Sequence, residues 1–409
     1  MVEDKSPAVS KTKLNEQTNL DTLLIIGNGF DKCCGLASLY SEFFEYTSKK
    51  YSSATFSAIK NIFENKGSEN DFSEAASHAC FWELYFYCLY FERKKQQIGK
   101  WADVEKEIRD FIFGEKPFKI FKEIYNPDPK IGQTIRISSL HLCSLKSLYH
   151  ELFSDTITEN NHSALIAYYQ EKLDIVVKWL MSDLIRFEKN FTDYLNDFIE
   201  HKNNKEIYYS NAKKLLEKIA PNNNSVSIIS FNYPLPFEKD ELLNTKNVHG
   251  TLKHDNVIFG IDEKSKSEKG ETIHLDHNDP KYIFTKTFRA LGIETSKKPS
   301  LPKSINHIKF FGHSLADADY SYFQSIFDYY DIYNSNCILH FCYTPFQHGE
   351  FESKKLDAYK LIKSYGNTLD NKDKGKNLLH KLMLEGRIEV ESIKLEEDLM
   401  KKLSPLPCP

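Results

Sequence analysis

Polar side chains that can catalyse a reaction or bind a ligand follow several short apolar runs of the sequence. Asn232 comes at the end of SVSIISFNY, and His249 lies in NVHG. An asparagine amide both donates and accepts hydrogen bonds, so it can orient a water molecule or a hydroxyl. A histidine, whose ordinary pKa is about 6.5, can assist the deprotonation of that group. Hydrogen bonds within a loop are the alternative explanation for both residues.

A glycine turn follows another apolar run, in which LLII leads directly into Gly27, Asn28 and Gly29. Glycine permits a positive-φ turn and a close ligand, and the amides of a following helix favour an anion such as a nucleotide phosphate. Lys32 occupies the third glycine position of the dinucleotide fingerprint, so the motif is incomplete and a simple tight turn is the alternative. Asp31 would repel a phosphate, so we expect it to cap a helix or to bind a ribose hydroxyl.

A second polar group follows the run IKFF and consists of Gly312, His313, Ser314 and Asp319. In an open parallel sheet, ligands bind beyond the C-terminal ends of the strands. We therefore expect the polar strand ends to converge on one crevice. Ser314 lies in GHSLA, which is not the G-x-S-x-G nucleophile motif, so a serine nucleophile is not expected.

Two further groups of residues are weaker candidates. In WADVE, Asp103 and Glu105 are two positions apart and do not share a helix face. We slightly favour surface acids beside a buried Trp101 over an Asp103 that points into the crevice. His274 and His277 lie in a charged stretch without further residues at ligand spacing, so we expect a solvated loop and no metal.

The composition is that of an ordinary soluble protein, with 409 residues, 41% hydrophobic and 27% charged residues. The net charge of −4 argues against a surface that coats nucleic acid. No apolar run approaches the roughly 20 residues of a membrane span, and no signal segment is recognisable. The eight cysteines include no C-x-x-C pair. We expect a cytoplasmic protein that does not associate with membranes.

Alternating strand and helix patterns predict an α/β fold, a Rossmann-like parallel sheet flanked by helices with a large helical insertion. Strands are predicted at 22–27, 225–233, 247–250, 257–262, 307–314 and 337–343, a helix at 319–333, a charged loop at 263–280, and a final helix, short strand and frayed tail. The predicted organisation is a disordered leader (1–20), a core (21–69 and 203–345), the helical insertion (70–202) and a C-terminal extension (346–409).

Five motifs, taken in order, resemble those of the bacteriophage abortive infection AbiH family. They are LLIIGNGFDKCCGLASLYSEF, WADVE, SIISFNY, NVHGTLKHDNVIFGID and IKFFGHSLADADYSYFQSIF, and they extend from about residue 22 to about residue 345. The family's Gly-Leu-Pro-Thr reads Gly-Leu-Ala-Ser here, ending at Ser38, and Pro234 replaces a threonine. Neither departure removes a candidate catalytic group.

The family is similar to sirtuin-type domains, and this likeness implies a sirtuin-like fold with NAD as the substrate. Asn232 and His249 then become the catalytic residues, and no metal is required. The implied cofactor-binding residues are Gly27, Asn28, Gly29 and Asp31 in the first turn, and Gly312, His313, Ser314 and Asp319 in the second. The implied function is an antiphage abortive-infection effector that hydrolyses the nicotinamide–ribose bond of NAD when triggered.

Two alternatives remain open from the sequence: a nuclease effector of phage defence, with or without a metal, and a non-catalytic nucleotide-binding sensor or scaffold. An effector must stay inactive until infection, so we expect a homo-oligomer or a partner protein of the defence system. The sequence does not identify the phage trigger.

Overall fold

A computed structural model describes most of the chain. The described residues are 22–63, 69–95, 104–113, 162–221, 226–238, 240, 243–266, 272–276, 278–293, 301–315, 317–345, 349–395 and 402–406. The predicted leader (1–20), Trp101, Asp103 and His277 lie outside these residues. Among the helices of this part of the chain, none is long and apolar enough to cross a bilayer.

Six parallel strands form the central sheet. In chain order they are β1 (Thr22–Ile26), β2 (Val226–Ser230), β3 (Asn244–Asn247), β6 (His307–Phe311), β7 (Ile338–Tyr343) and β8 (Ile388–Ser392). Two short strands, β4 (Lys264–Lys266) and β5 (Thr272–His274), pair separately as an antiparallel hairpin. The spatial order of the sheet is β3-β2-β1-β6-β7-β8, so the predicted Rossmann-like α/β fold is confirmed.

Helices cover both faces of this sheet. Before β2 they are α1 (Asn28–Cys33), α2 (Tyr40–Lys50), α3 (Ser53–Phe63), α4 (Glu69–His78), α5 (Phe81–Lys95), α6 (Val104–Phe113), α7 (His162–Glu200) and α8 (Asn204–Ile219). After it they are α9 (Lys286–Ala290), α10 (Tyr320–Tyr329), α11 (Glu350–Gly366) and α12 (Lys372–Leu384). Short 3₁₀ turns occupy Pro280–Phe284 and Asp317–Asp319.

Strand β1 lies at the centre of the sheet and is buried on both faces. Leu24 and Ile26 pack into an aromatic-rich core with the helices of the insertion, while Leu23 and Ile25 pack against α10, α11 and α12. The alternation follows from the two-residue period of a strand, and burial on both faces explains why the run is continuously apolar.

The predicted strand at 257–262 is wrong. Only Ile261 forms an isolated bridge, with Thr285, and the Phe259 ring packs among aromatic rings of the helical layer. The Phe259 amide donates to the Glu188 carboxylate at 2.7 Å instead of to a neighbouring strand. This apolar run is buried against helices and not in the sheet. The spacing of apolar residues cannot distinguish these two kinds of burial, so the run was predicted to be a strand.

Other boundaries differ less. Strand β3 ends at Asn247, so Val248 and His249 follow the strand instead of forming it. The predicted charged loop at 263–280 contains the β4–β5 hairpin. The final helix and strand are present as α12 and β8, and β8 pairs with β7 at the edge of the main sheet.

The turns after β1 and β6 are in direct backbone contact. These two strands are neighbours, but the chain continues from β1 to β2 on one side and from β6 to β7 on the other. Gly29 N donates to Gly312 O at 2.7 Å, and Gly27 N donates to Phe311 O at 3.1 Å. A Cβ atom on Gly29 would lie 2.7 Å from Gly312 Cα, and one on Gly27 would lie 2.7 Å from His313 Cα. Glycine is therefore required here by contact between two backbones.

Replacing Gly312 with alanine tests this contact. Gly312 has φ +70°, and an added Cβ would lie 2.3 Å from Phe30 N. Gly386, with φ +64° and nothing within 4 Å, provides a matched control for the backbone penalty alone. We expect Gly386→Ala to lower the free energy of unfolding by about 1 kcal/mol and Gly312→Ala to lower it by about 2 kcal/mol more. Equal losses in urea denaturation would show that the two turns can separate at little cost.

Candidate functional site

A cavity of about 720 Å³ opens above the turns that follow β1 and β6. Its position, where β1 and β6 are neighbours but the chain continues from them in opposite directions, is the switch point at which open α/β sheets bind ligands. Glu105 of α6 and Phe191 of α7 form part of one wall, and Ser353 and Lys354 of α11 form part of another. The site therefore combines the sheet with the helical layer and with α11.

All ten catalytic and cofactor-binding residues implied by the family resemblance line this cavity. They are Gly27, Asn28, Gly29, Asp31, Asn232, His249, Gly312, His313, Ser314 and Asp319. The expected convergence of polar strand ends is thus present in the structure. Their individual surroundings differ and determine what each side chain can do.

The backbone of the glycine turn is largely occupied by internal hydrogen bonds. Gly29 N donates to Gly312 O, and Phe30 N donates to Gly27 O at 2.8 Å. Helix α1 is only six residues long. The amides of Gly29 and Phe30 are therefore not available for the phosphate that the sequence led us to expect there.

The side chain of Asn28 fastens the next loop. Its amide donates to Ser38 O at 3.1 Å, and the Ser38 hydroxyl donates back to the Asn28 side-chain oxygen. Ser38 stands where the family motif has threonine, and it retains the hydroxyl that this contact needs. From the sequence, Asn28 was expected to contact a ligand. In the structure, its side chain instead holds the loop at the rim of the cavity.

Asn232 is anchored by its amide nitrogen. Nδ2 donates to Gly27 O at 3.0 Å, which ties the end of β2 to the glycine turn. Asn247 holds the Asn232 backbone by donating to its carbonyl oxygen at 2.6 Å. The Asn232 side-chain oxygen is therefore the atom left to contact a ligand in the cavity.

Asp31 is a buried carboxyl group, with 3% of its surface exposed. It accepts a hydrogen bond from the Tyr208 hydroxyl at 2.6 Å. Burial raises the pKa of Asp31 to about 7, although hydrogen bonds from Tyr208 and Asn232 act in the opposite direction. The expected helix-capping role is wrong, because the residue at the N-cap of α1 is Gly27 and no side chain caps it.

Asp319 is the centre of a buried cluster of charged and polar groups. Lys286 Nζ lies 2.6 Å from Asp319 Oδ1, and His313 Nε2 lies 3.3 Å from Oδ2. His249 Nε2 lies 3.4 Å from Oδ1 but makes no hydrogen bond with it. Burial alone would raise the pKa of Asp319, but Lys286 and the two histidines hold it well below its ordinary range. Asp319 is therefore ionised.

Lys286 and Glu105 are members of this cluster that sequence analysis missed. Lys286 Nζ lies 2.7 Å from Glu105 Oε2 as well as contacting Asp319. Burial would lower the pKa of Lys286, but Asp319 and Glu105 outweigh burial and raise it. Glu105 is the last residue of the WADVE motif, so the motif did indicate an acidic residue in the crevice. We had considered Asp103 for that position instead of Glu105. Lys286 belongs to no motif and follows no strand.

The pKa of His249 is lower than the ordinary histidine value on which the sequence-based expectation rested. Burial and, next, the Lys286 ammonium lower the pKa of His249 to about 3, against the opposing effect of Asp319. The 3.4 Å contact therefore joins a carboxylate and a neutral imidazole. His249 is a weaker base than an ordinary histidine.

Among the described residues, one group has ligand atoms placed as in a metal site: His340, Glu389 and Glu391, on β7 and β8. Both ring nitrogens of His340 are already engaged, one with His307 at 2.8 Å and the other with Glu391. Lys309 Nζ lies 3.7 Å from Glu391 and supplies positive charge. We interpret the group as an ion-pair cluster, and none of these residues lines the cavity.

Comparison with known proteins identifies the family. The sequence model of the family described as bacteriophage abortive infection AbiH matches residues 23–343. The chain belongs to the AbiH family. Membership assigns this AbiH protein a role in phage abortive infection, as its motifs predicted. Neither the curated proteins nor the solved structures contain a match to the chain, so the likeness to sirtuin-type domains stays a prediction from motifs.

The protonation of Asp31 gives this AbiH protein a testable pH dependence. The Asp31 pKa is raised from 3.8 to about 7 by folding, so the folded state holds a proton that the unfolded state releases between those pH values. Stability is therefore lost as pH rises from about 4 to about 7. Asp31→Asn should remove this loss, which amounts to at most about 4 kcal/mol.

The measurement is urea denaturation of both proteins at pH 5 and pH 8. The stability of the variant relative to the parent protein should increase with pH. Glu217→Gln, which changes an exposed carboxyl group on α8, should show no such trend. A constant difference between the parent protein and Asp31→Asn would contradict the raised pKa.

Proposed function

We propose that this AbiH protein is an antiphage effector that binds NAD in the switch-point cavity and hydrolyses its nicotinamide–ribose bond when triggered. The observation that carries the proposal is the lining of one cavity by Asn232, His249 and both glycine turns. Its volume of about 720 Å³ lies within the roughly 300–1,000 Å³ of small-molecule sites. Depletion of NAD would stop the growth of an infected cell, in keeping with abortive infection.

The chemistry requires a site that tolerates positive charge on the substrate. As the bond from the ribose C1′ to the pyridinium nitrogen breaks, its electron pair goes to nicotinamide, which leaves as a neutral molecule. The sugar becomes oxocarbenium-like and is stabilised by nearby negative charge. Glu105 and Asp319 supply carboxylates to the cavity wall. The Lys286 ammonium contacts both of these carboxylates, at 2.7 and 2.6 Å.

Asn232 and His249 serve the attacking water in this proposal. The Asn232 side-chain oxygen accepts a hydrogen bond from the water and orients it toward C1′. His249 turns Nε2 toward Asp319, which leaves Nδ1 as the ring atom that accepts the proton of the water. A weak base is sufficient, because a water oxygen bonded to an oxocarbenium carbon is strongly acidic. The products are nicotinamide, ADP-ribose and a proton.

The remaining cavity residues fit other parts of the dinucleotide. Asp31, held by Tyr208, offers a carboxyl group to a ribose hydroxyl, as acids do in nucleotide sites. Lys32 and Lys354 also line the cavity and supply positive charge for the diphosphate. Lys354 is held in place by donating to His313 O at 3.0 Å.

The alternatives are less well supported by the site. A metal-dependent nuclease needs a cluster of metal ligands in its active site, and in the described part of the chain the cluster of that kind lies away from the cavity. A non-catalytic sensor would use the same cavity without needing Asn232 and His249 as reacting groups. We expect a homo-oligomer or a defence-system partner to keep the effector inactive until infection.

Release of free nicotinamide from NAD is the test of this function. The purified protein is incubated with NAD, alone and with phage lysate. We expect release, and a loss of at least about 100-fold in Asn232→Ala and in His249→Ala. Asn377→Ala and His380→Ala, which alter exposed residues of α12, are matched controls that should retain the activity.

The alternatives predict other outcomes of the same experiment. NAD binding without turnover in both conditions would favour the sensor. Cleavage of added RNA or DNA would favour the nuclease. Equal activity in the two cavity variants and the two controls would overturn the assignment of the catalytic residues.

A further inference from the structure

Lys286 lies behind the wall of the cavity. Its residue is 2% exposed, and its two carboxylate partners, Glu105 and Asp319, line the cavity although Lys286 does not. Nζ lies 2.7 Å from Glu105 Oε2 and 2.6 Å from Asp319 Oδ1. Lys286 is therefore not placed to contact a ligand in the cavity directly.

Lys286 and His249 approach the same oxygen atom. Asp319 Oδ1 is 2.6 Å from Lys286 Nζ and 3.4 Å from His249 Nε2. The other oxygen, Oδ2, faces His313 Nε2 at 3.3 Å. His313 Nδ1 accepts from Leu315 N at 2.9 Å, which places its proton on Nε2, toward Asp319. With Lys286 absent, His249 would be the nearest group able to supply a positive charge to Oδ1.

We propose that Lys286 is a positioning residue that keeps His249 uncharged by satisfying the Oδ1 atom of Asp319. A buried carboxylate without a cationic partner is costly, and the nearest titratable group then becomes charged. In the parent protein, Lys286 is the cationic partner of the Asp319 carboxylate. His249 therefore stays neutral, and its Nδ1 atom is free for a ligand. The consequence for catalysis rests on the proposed function, whereas the consequence for protonation does not.

The fold holds Lys286 in place from several sides. Lys286 N donates to Ile261 O at 2.9 Å. The missing side chain of Gly260 makes room for the lysine stem, since a Cβ atom there would lie 2.9 Å from Lys286 Cγ. Arg289, one turn later in α9, pairs with Glu188 of α7 through Nη2 at 2.7 Å. These contacts show why the run VIFGID is buried although it is not a strand.

Among the residues that the structure describes, few other groups affect the charge of His249. Asp319 favours the imidazolium, while Lys286 and His313 oppose it. Glu105 lies beyond Lys286, and the Tyr322 ring packs edge-on against the imidazole at 5.5 Å. The sum of these effects and of burial lowers the pKa of His249 to about 3. Removing Lys286 eliminates the largest opposing charge and leaves Asp319 unchanged.

The test is an NMR titration of the His249 ring proton in the full chain, assigned by its disappearance in His249→Gln. In the parent protein the signal should not shift between pH 5 and pH 9. In Lys286→Met the pKa of His249 should rise by at least about two units. Lys286→Arg retains the positive charge and should behave as the parent protein does.

A second variant covers the case in which Lys286→Met does not fold. Lys286→Met combined with Glu105→Gln removes one positive and one negative charge, so the net charge of the cluster is unchanged. Asp319 remains and His249 should again become protonated. A His249 signal that titrates as in the parent protein, in whichever of these two variants folds, overturns the proposal.

The outcome is separable from that of the NAD assay. If no nicotinamide is released but the pKa of His249 rises in the variants, the proposed function fails and the role of Lys286 stands. If NAD is hydrolysed, Lys286→Met should lose activity as pH falls through the new pKa of His249, while Lys286→Arg should keep the parent pH profile. Identical pH profiles for Lys286→Met and the parent protein would contradict the catalytic consequence.

Discussion

The site depends on the burial of several ionisable groups beside the C-terminal ends of the central strands. Asp319, Glu105 and Lys286 form one network in which a single ammonium contacts two carboxylates at 2.6 and 2.7 Å. Each charge would be very costly there alone, and breaking such a network by removing one partner is strongly destabilising. The network links α6, α9 and the turn after β6, so the helical layer and the sheet are fixed to each other at the cavity.

The second constraint is the backbone contact between the turns after β1 and β6. Because Gly27 and Gly29 press against Gly312 and His313, the strand ends meet closely enough for Asn232, His249 and Asp319 to line one cavity. The glycines of the first turn are therefore needed for the close contact between the two turns that forms the site, whether or not they also contact a ligand.

The sequence predicted those parts of the protein that local patterns determine. Buried strands are continuous apolar runs, and polar residues after them mark the ligand-binding edge of a parallel sheet. Lys286 could not be predicted from the sequence because its partners are distant in the chain. Glu105 is 181 positions away, and only the folded structure brings it into contact with Lys286. The run at 257–262 was assigned to the sheet because burial by helices produces the same pattern. The protonation of Asp31 and His249 depends on burial, which the sequence does not give.

The claim that the switch-point cavity is an NAD site is tested most directly by a crystal structure of the His249→Ala variant with NAD. We expect the nicotinamide riboside beside Asn232 and Asp319, with the dinucleotide extending along the glycine turns. Electron density for NAD elsewhere on the protein, or an empty cavity at a saturating concentration of NAD, would contradict it.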